Sequence, residues 1–214
     1  MWSEPARAPR YFVAEKSDGE RRLLVTVDAD GRPASCLVDR RGAVDVVTLA
    51  KAPPIGSVVD GEVVRNLATG APVFLAFDVL HDGRNDLCQK HFGERFFGSL
   101  CPGGPLAACL AAPCPPREGD VASALSPREE DAAFFAAAPA AAPGAPPTVR
   151  VVPKRFVPPK MVGARVLARI SRDDDCGGGV PFGARVYRDG AARAHLSDGL
   201  VFVPDTPYAR PCLK

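Results

Sequence analysis

The close spacing of short apolar runs between Arg10 and Leu80 is the feature that most restricts the fold. RYFVA (10–14), RRLLVTV (21–27), ASCLVD (34–39), VDVVTL (44–49), SVVDGEVV (57–64) and VFLAFDVL (73–80) follow one another. They are divided by turn-forming sequences such as Asp28-Ala29-Asp30-Gly31, Arg41-Gly42, Pro53-Pro54 and His81-Asp82-Gly83. Runs rich in β-branched residues and bounded by Gly, Asp and Pro read as strands. Parallel neighbours need a crossover of about a dozen residues or more, and these gaps are shorter. The expectation is therefore mostly antiparallel sheet.

Downstream the pattern changes. Leu87 to Leu100 predicts a helix, stopped by Pro102-Gly103-Gly104. Pro105 to Pro147 is dominated by alanine and proline and predicts a flexible surface insertion or linker over 105–147, with a short helix near Pro127 to Ala138. Regular pattern resumes at VRVVPKRFVP (149–158), a second helix is expected over Met161 to Ile170, DDDCGGG (173–179) reads as a loop, and GLVFV (199–203) as the last strand. The fold class is α+β: mainly antiparallel β-sheets with a few packed helices.

Composition removes several function classes. The 214 residues fit one large domain or two small ones. Lys plus Arg is 27 against 25 Asp plus Glu, and a net charge of +2 is not that of a histone-like or polybasic protein. No run reaches the ~18 apolar residues of a membrane span, and MWSEPARAPR lacks the apolar stretch of a signal peptide. The seven cysteines include no C-x-x-C pair, which argues against a zinc ribbon and for reduced thiols in an intracellular protein.

The residues that suggest chemistry begin at Lys16. In KSDGER (16–21) a lysine and an arginine flank a glycine turn between two predicted strands. A lysine must lose its proton to attack, and nearby cations or a metal lower its pKa from ~10.4. Alone this is a charged surface turn. Asp60 and Glu62 in VDGEV fall on one face of a strand, a costly pairing unless that face is solvated or holds a cation. A hard divalent ion such as Mg²⁺ suits carboxylates and phosphate together. His81, His91 and His195 show no metal-ligand pattern. Asp78 in AFDVL reads as structural. Lys154, Arg155, Lys160, Arg165 and Arg169 form a basic stretch that is either an RNA track or a solvated face.

Taken in order, KSDGER, CLVDRRGAVDVV, GSVVDGEVV, FLAFDVLHDG and HLSDGLVFVPDTPY resemble the covalent nucleotidyltransferases, the superfamily of messenger-RNA capping guanylyltransferases and ATP-dependent polynucleotide ligases. The capping enzymes are the nearer match, because H-x-x-D-G-L-V-F-x-P followed by Thr206-Pro207-Tyr208 is more typical of them. The resemblance implies that Lys16 is the nucleophile, that it takes GMP from GTP, and that the GMP passes to the diphosphate 5′ end of RNA. It implies nucleotide contacts from Arg21, Arg40, Glu62, Lys154, Asp198 and Lys214, with Val201 against one face of guanine. It implies Mg²⁺ or Mn²⁺ near Glu62 and Asp198, a nuclear location, and dealings with an RNA triphosphatase and the transcription machinery. No membrane partner is expected. Between Val44 and Val59 there is no aromatic residue for the second face of the base. Residues 1–214 are expected to form a nucleotidyltransferase domain shortened at both ends, with the second lysine of the K-W-K motif and the OB-fold lid missing. The alternatives are an ATP-dependent ligase adenylylation domain and a non-catalytic nucleotide- or RNA-end-binding relic.

Overall fold

The computed structural model describes residues 10–109, 144–173, 180–189 and 192–208. It contains two sheets. The larger is built from β4 (Val44–Val47), β3 (Arg32–Val38), β2 (Glu20–Ala29), β5 (Ser57–Arg65), β6 (Pro72–Asp82) and β7 (Arg150–Pro153), hydrogen-bonded in that order. The smaller runs β1 (Tyr11–Ser17), β10 (Ala192–Pro204), β9 (Ala184–Asp189) and β8 (Ile170–Asp173). Every pairing is antiparallel except β6 with β7, where Val73 lies beside Arg150. That pair is joined by the long connection carrying α1 (Phe92–Ser99) and α2 (Pro105–Cys109), the crossover that parallel strands require. The α+β expectation holds.

The sheets are tied together next to Lys16. Val13 of β1 and Val157 exchange backbone hydrogen bonds of 2.8 and 2.9 Å, and Asp18 N–H donates to the Leu196 carbonyl at 3.1 Å. Lys154 N–H continues the β6–β7 ladder onto the Ala76 carbonyl at 2.7 Å. The core lies on the large sheet under α1. Phe92 and Phe96 stack with centroids 5.6 Å apart, and Phe156 meets both edge-on at 4.9 and 5.1 Å. Phe12, from the small sheet, packs on Phe92 and Phe97. These rings carry much of the apolar burial that holds the two sheets in place.

Both helix expectations are trimmed by local chemistry. The chain from Leu87 to Lys90 turns back on β6 through Leu87 N–H to the Leu80 carbonyl and Cys88 N–H to Asp86, so α1 starts only at Phe92. Its first turn is capped from a distance, by the Asp205 carboxylate accepting from Gly93 N–H at 2.9 Å. The expected helix at 161–170 is broken into a 3-10 turn (Pro159–Met161), α3 (Val162–Arg165) and a second 3-10 turn (Leu167–Arg169). Gly163 and the β-branched Val162 and Val166 are poor helix formers, and Ile170 is drawn into β8. β8, β9 and the first half of β10 were not foreseen, because their alternation is interrupted by polar and glycine residues.

The alanine/proline expectation is corrected at its start. Pro105–Cys109 is helical, with Leu106 fully buried and Cys109 in the main core. Burial pushes the Cys109 thiol up to about 12. At the other end the Pro147 carbonyl accepts from Thr48 N–H at 3.0 Å. The helix expected near 127–138 and most of the 173–179 loop lie outside the described residues. Cys36, Cys88, Cys101 and Cys109 are all free thiols.

Candidate functional site

Lys16 is the last residue but one of β1, where the ladder with β10 breaks register. Lys16 lies opposite Gly199 and Ser17 opposite Ser197, so Asp198 is the extra residue of a bulge. Bulges re-aim a side chain, and this one sends the Asp198 carboxylate to the Lys16 ammonium at 2.6 Å. Gly199, at φ 137°, occupies backbone space that a side chain disfavours, which is why D-G follows the bulge. Both Lys16 and Asp198 are about half exposed (55% and 48%), so this is the open end of the site. The hydrogen bond and charge of Asp198 hold Lys16 above its ordinary pKa, the reverse of the lowering expected for a nucleophile.

Gly19 is required for a different reason than the tight turn the sequence suggested. Its φ is not positive. A Cβ there would stand 2.5 Å from the Val63 carbonyl oxygen and 2.7 Å from a Val64 methyl. The loop therefore presses directly on β5, and Gly19 N–H donates to Glu62 at 3.2 Å. Ser17 Oγ donates to the other oxygen of the same carboxylate. Glu62 thus fastens both sides of the lysine loop.

Arg21 and Asp60 form a two-pronged pair. Nε and Nη2 donate to the carboxylate at 3.0 and 2.5 Å, and Asp60 is buried while Arg21 is half exposed. The cation that the Asp60/Glu62 pairing called for is Arg21, a protein group. Arg21 lies opposite Glu62 in register, so the two share a face. Arg40 is exposed in the turn after β3. Val38 pairs with Leu23, which puts Arg40 at the same end of the sheet as Arg21.

Lys154 is buried, not part of an exposed basic track. Its Nζ donates to Ser17 Oγ at 2.6 Å and lies 3.5 Å from Glu15 and 4.0 Å from Glu62. His195, which carried no signal, brings its Nε2 to 3.5 Å from the same Glu15 oxygen. Glu15, Ser17 and His195 were missed because none has a distinctive spacing; only the pairing of β1 with β10 brings them together. Phe77 was missed for a similar reason. Its ring lies 5.7 Å from the Arg21 guanidinium and 5.9 Å from Lys154 Nζ, an aromatic face beside these two cations. Val201 lies opposite Ala14 and packs, half-buried, against the core. Lys214 lies outside the described residues.

Asp78 is structural, as expected. It pairs with Arg95 through two hydrogen bonds of 2.8 and 2.7 Å, and Arg95 also donates to the Thr206 carbonyl at 3.2 Å. The Tyr208 ring covers that guanidinium at 4.5 Å. The Thr-Pro-Tyr segment is thus the latch that fixes the exit of β10.

Two carboxylates do not make a cation cage. Both Glu62 oxygens already accept from Ser17 and Gly19, and Asp198 is engaged by Lys16. Among the described residues no group of three or more His, Cys, Asp or Glu could hold a metal ion. Among the described residues, Glu62 and Asp198 do not by themselves complete a site for a resident metal. A groove of about 340 Å³ lined by Arg22, Asp45, Val46 and Val149 lies on the opposite face of β2 from Arg21 and shares none of these residues.

The arrangement presents one exposed amine above a floor of fixed cations and acids, from strands of both sheets, suited to capturing a phosphate ester. No protein-family model matches the chain. It is similar to the mRNA-capping enzyme subunit alpha of Neurospora crassa, 33% identical over 113 residues, a match covering 43% of this chain and 27% of that protein. The chain therefore has a distant, partial relationship to a capping-enzyme subunit and spans well under a third of its length in the match.

Proposed function

We propose that this chain carries the nucleotidyl-transfer site of a capping-type guanylyltransferase. The observation that carries the reading is the Lys16 loop: an exposed amine near the end of β1, clamped by Glu62 and flanked by Arg21, Lys154 and Asp198. The similarity to a capping-enzyme subunit supports the same class.

On this reading the reaction has two displacements. Lys16, once its ammonium has given up a proton, forms an N–P bond to the α-phosphorus of GTP. The bond from that phosphorus to the bridging oxygen breaks, and pyrophosphate leaves with the electron pair. In the second step a terminal oxygen of a 5′-diphosphate RNA attacks the same phosphorus. The N–P bond breaks and Lys16 recovers a proton. A covalent nucleophile splits one transfer into two in-line steps.

This chain's groups divide the work. Asp198 holds the Lys16 ammonium until nucleotide arrives and lies within reach of the departing proton. Arg21, braced by Asp60, and Lys154, braced by Ser17, offer fixed positive charge that needs no reorganisation as negative charge shifts. Phe77 and Val201 offer the apolar surfaces for a base. Arg40 and Lys214 are further candidate nucleotide contacts. Any Mg²⁺ or Mn²⁺ enters as the counter-ion of the nucleotide. The acceptor would be an RNA end trimmed by a triphosphatase in the nucleus, beside the transcription machinery. Among the described residues no helix is long and apolar enough to cross a membrane.

The test is label transfer from α-labelled GTP, or separately ATP, to the denatured protein, repeated with Lys16→Ala. An acid-labile label from GTP that the variant loses is the expected result. Label from ATP alone moves the assignment to the ligase branch. No label from either refutes covalent transfer by this chain and favours a binding role.

A further inference from the structure

Behind Lys16 lies a buried group of ionisable residues, of which the two displacements use Lys154 alone. Glu15 alternates with Lys16 on β1, so its side chain points to the opposite face of that strand, where it is buried. One oxygen, Oε1, is 3.5 Å from Lys154 Nζ and 3.5 Å from His195 Nε2. All three side chains are at most 4% exposed. A buried carboxylate this enclosed needs a positive partner or a proton, and here two groups at the same oxygen could supply it.

The geometry of His195 decides which does. Its Nδ1 is 2.9 Å from the Leu196 carbonyl oxygen. A carbonyl only accepts, so Nδ1 carries a hydrogen. In the neutral ring Nε2 then turns a lone pair toward Glu15. Burial and the charge of Lys154 hold the ring neutral, against the opposite pull of Glu15 and Glu62. The ring is stacked on Tyr187 of β9, with centroids 5.2 Å apart and planes 13° from parallel, so it cannot swing aside without breaking that contact. The counter-ion of Glu15 is therefore the Lys154 ammonium, and His195 is the wall that keeps Glu15 turned toward it.

We propose that Glu15 and His195 are positioning residues for the nucleotide site: held against both the His195 ring and Lys154 through one oxygen, Glu15 aims the Lys154 ammonium at Ser17 and the cleft, and so sets how tightly nucleotide is held rather than how fast Lys16 attacks. This rests on the reading of Lys154 as a nucleotide contact. The groups facing His195 are Glu15 from β1, Lys154 after β7, Glu62 from β5 and the Tyr187 ring from β9. Lys154 and Glu15 act on its charge in opposite directions.

Two readouts test the array. The chain has three histidines, so ring ¹⁵N spectra are simple, and His195→Gln identifies its signals. In the unaltered protein the His195 ring should be neutral at pH 7 with the hydrogen on Nδ1. Lys154→Met should raise its titration midpoint, and Glu15→Gln should lower it. In the label-transfer assay Glu15→Gln and His195→Gln should raise the apparent KM for GTP about tenfold, with the maximal rate within about twofold. Circular dichroism establishes that each variant is folded; if Glu15→Gln is not, His195→Gln and Lys154→Met carry the test. A His195 midpoint indifferent to Lys154→Met overturns the array, as does a loss confined to the maximal rate. If the unaltered chain takes no label, the transfer reading fails by itself. The array is then judged by the spectra and by GTP affinity in equilibrium dialysis, where an unchanged Kd in His195→Gln overturns it.

Discussion

Arg95→Met should be among the most destabilising single changes in this fold, and its size can be worked from the contacts. Both side chains of the Arg95–Asp78 pair are nearly inaccessible, at 4% and 6%. Arg95 donates to both Asp78 oxygens, to the Lys90 carbonyl at 2.7 Å and to the Thr206 carbonyl at 3.2 Å. Methionine fills most of the volume but supplies no donor. Asp78 would keep the Val79 N–H at 2.8 Å and the Tyr208 hydroxyl, neither of which carries a positive charge. Removing one partner of such a buried pair costs about 3–5 kcal/mol. For a chain of this length that is a fall in Tm of about 6–20 °C. Replacing both charges with apolar groups removes the orphaned carboxylate, so Arg95→Met with Asp78→Leu should recover at least half the loss. The assay is urea unfolding followed by circular dichroism, with the slope m compared across variants to show that the unfolded state is unchanged. A single variant that loses less than about 1 kcal/mol, or a double variant no more stable than the single, would refute the reasoning.

Asp198→Asn removes the group that holds the Lys16 pKa up, so the ascending limb of the rate of label transfer against pH should move to lower pH, whatever happens to its ceiling. The sign for stability is the same: the Lys16–Asp198 contribution is present at neutral pH and is lost only as pH rises through the raised folded pKa. Gly19→Ala should cost about 1–3 kcal/mol in the same urea titration, because the new methyl meets the Val63 backbone and no flexible side-chain end can yield. It should also depress label transfer by displacing the Lys16 loop. Cys109 should resist alkylation in the folded protein at pH 8 and react only after unfolding, read by mass spectrometry, while half-buried Cys36 reacts in the folded protein.

The sequence by itself determined the six strands between Tyr11 and Asp82, because their apolar residues recur at close spacing and their turns carry Gly, Asp and Pro where the backbone needs them. It also determined the residue types of the site: Lys16, Arg21, Glu62, Lys154 and Asp198 are each legible as members of short motifs. Tertiary structure alone decided what those residues do to one another. Asp198 reaches Lys16 through a bulge in a pairing 182 residues apart along the chain. Lys154 looked like a surface lysine and is buried because the crossover to β7 delivers it under Ser17. Glu15 and His195 had no signal at all, since a lone acid and a lone histidine acquire chemical meaning only from a partner, and the partner comes from another sheet edge. Local propensity and periodicity are properties of neighbouring residues and can be read along the chain. Charge pairing, burial and pKa depend on distance in space, which the register between strands sets.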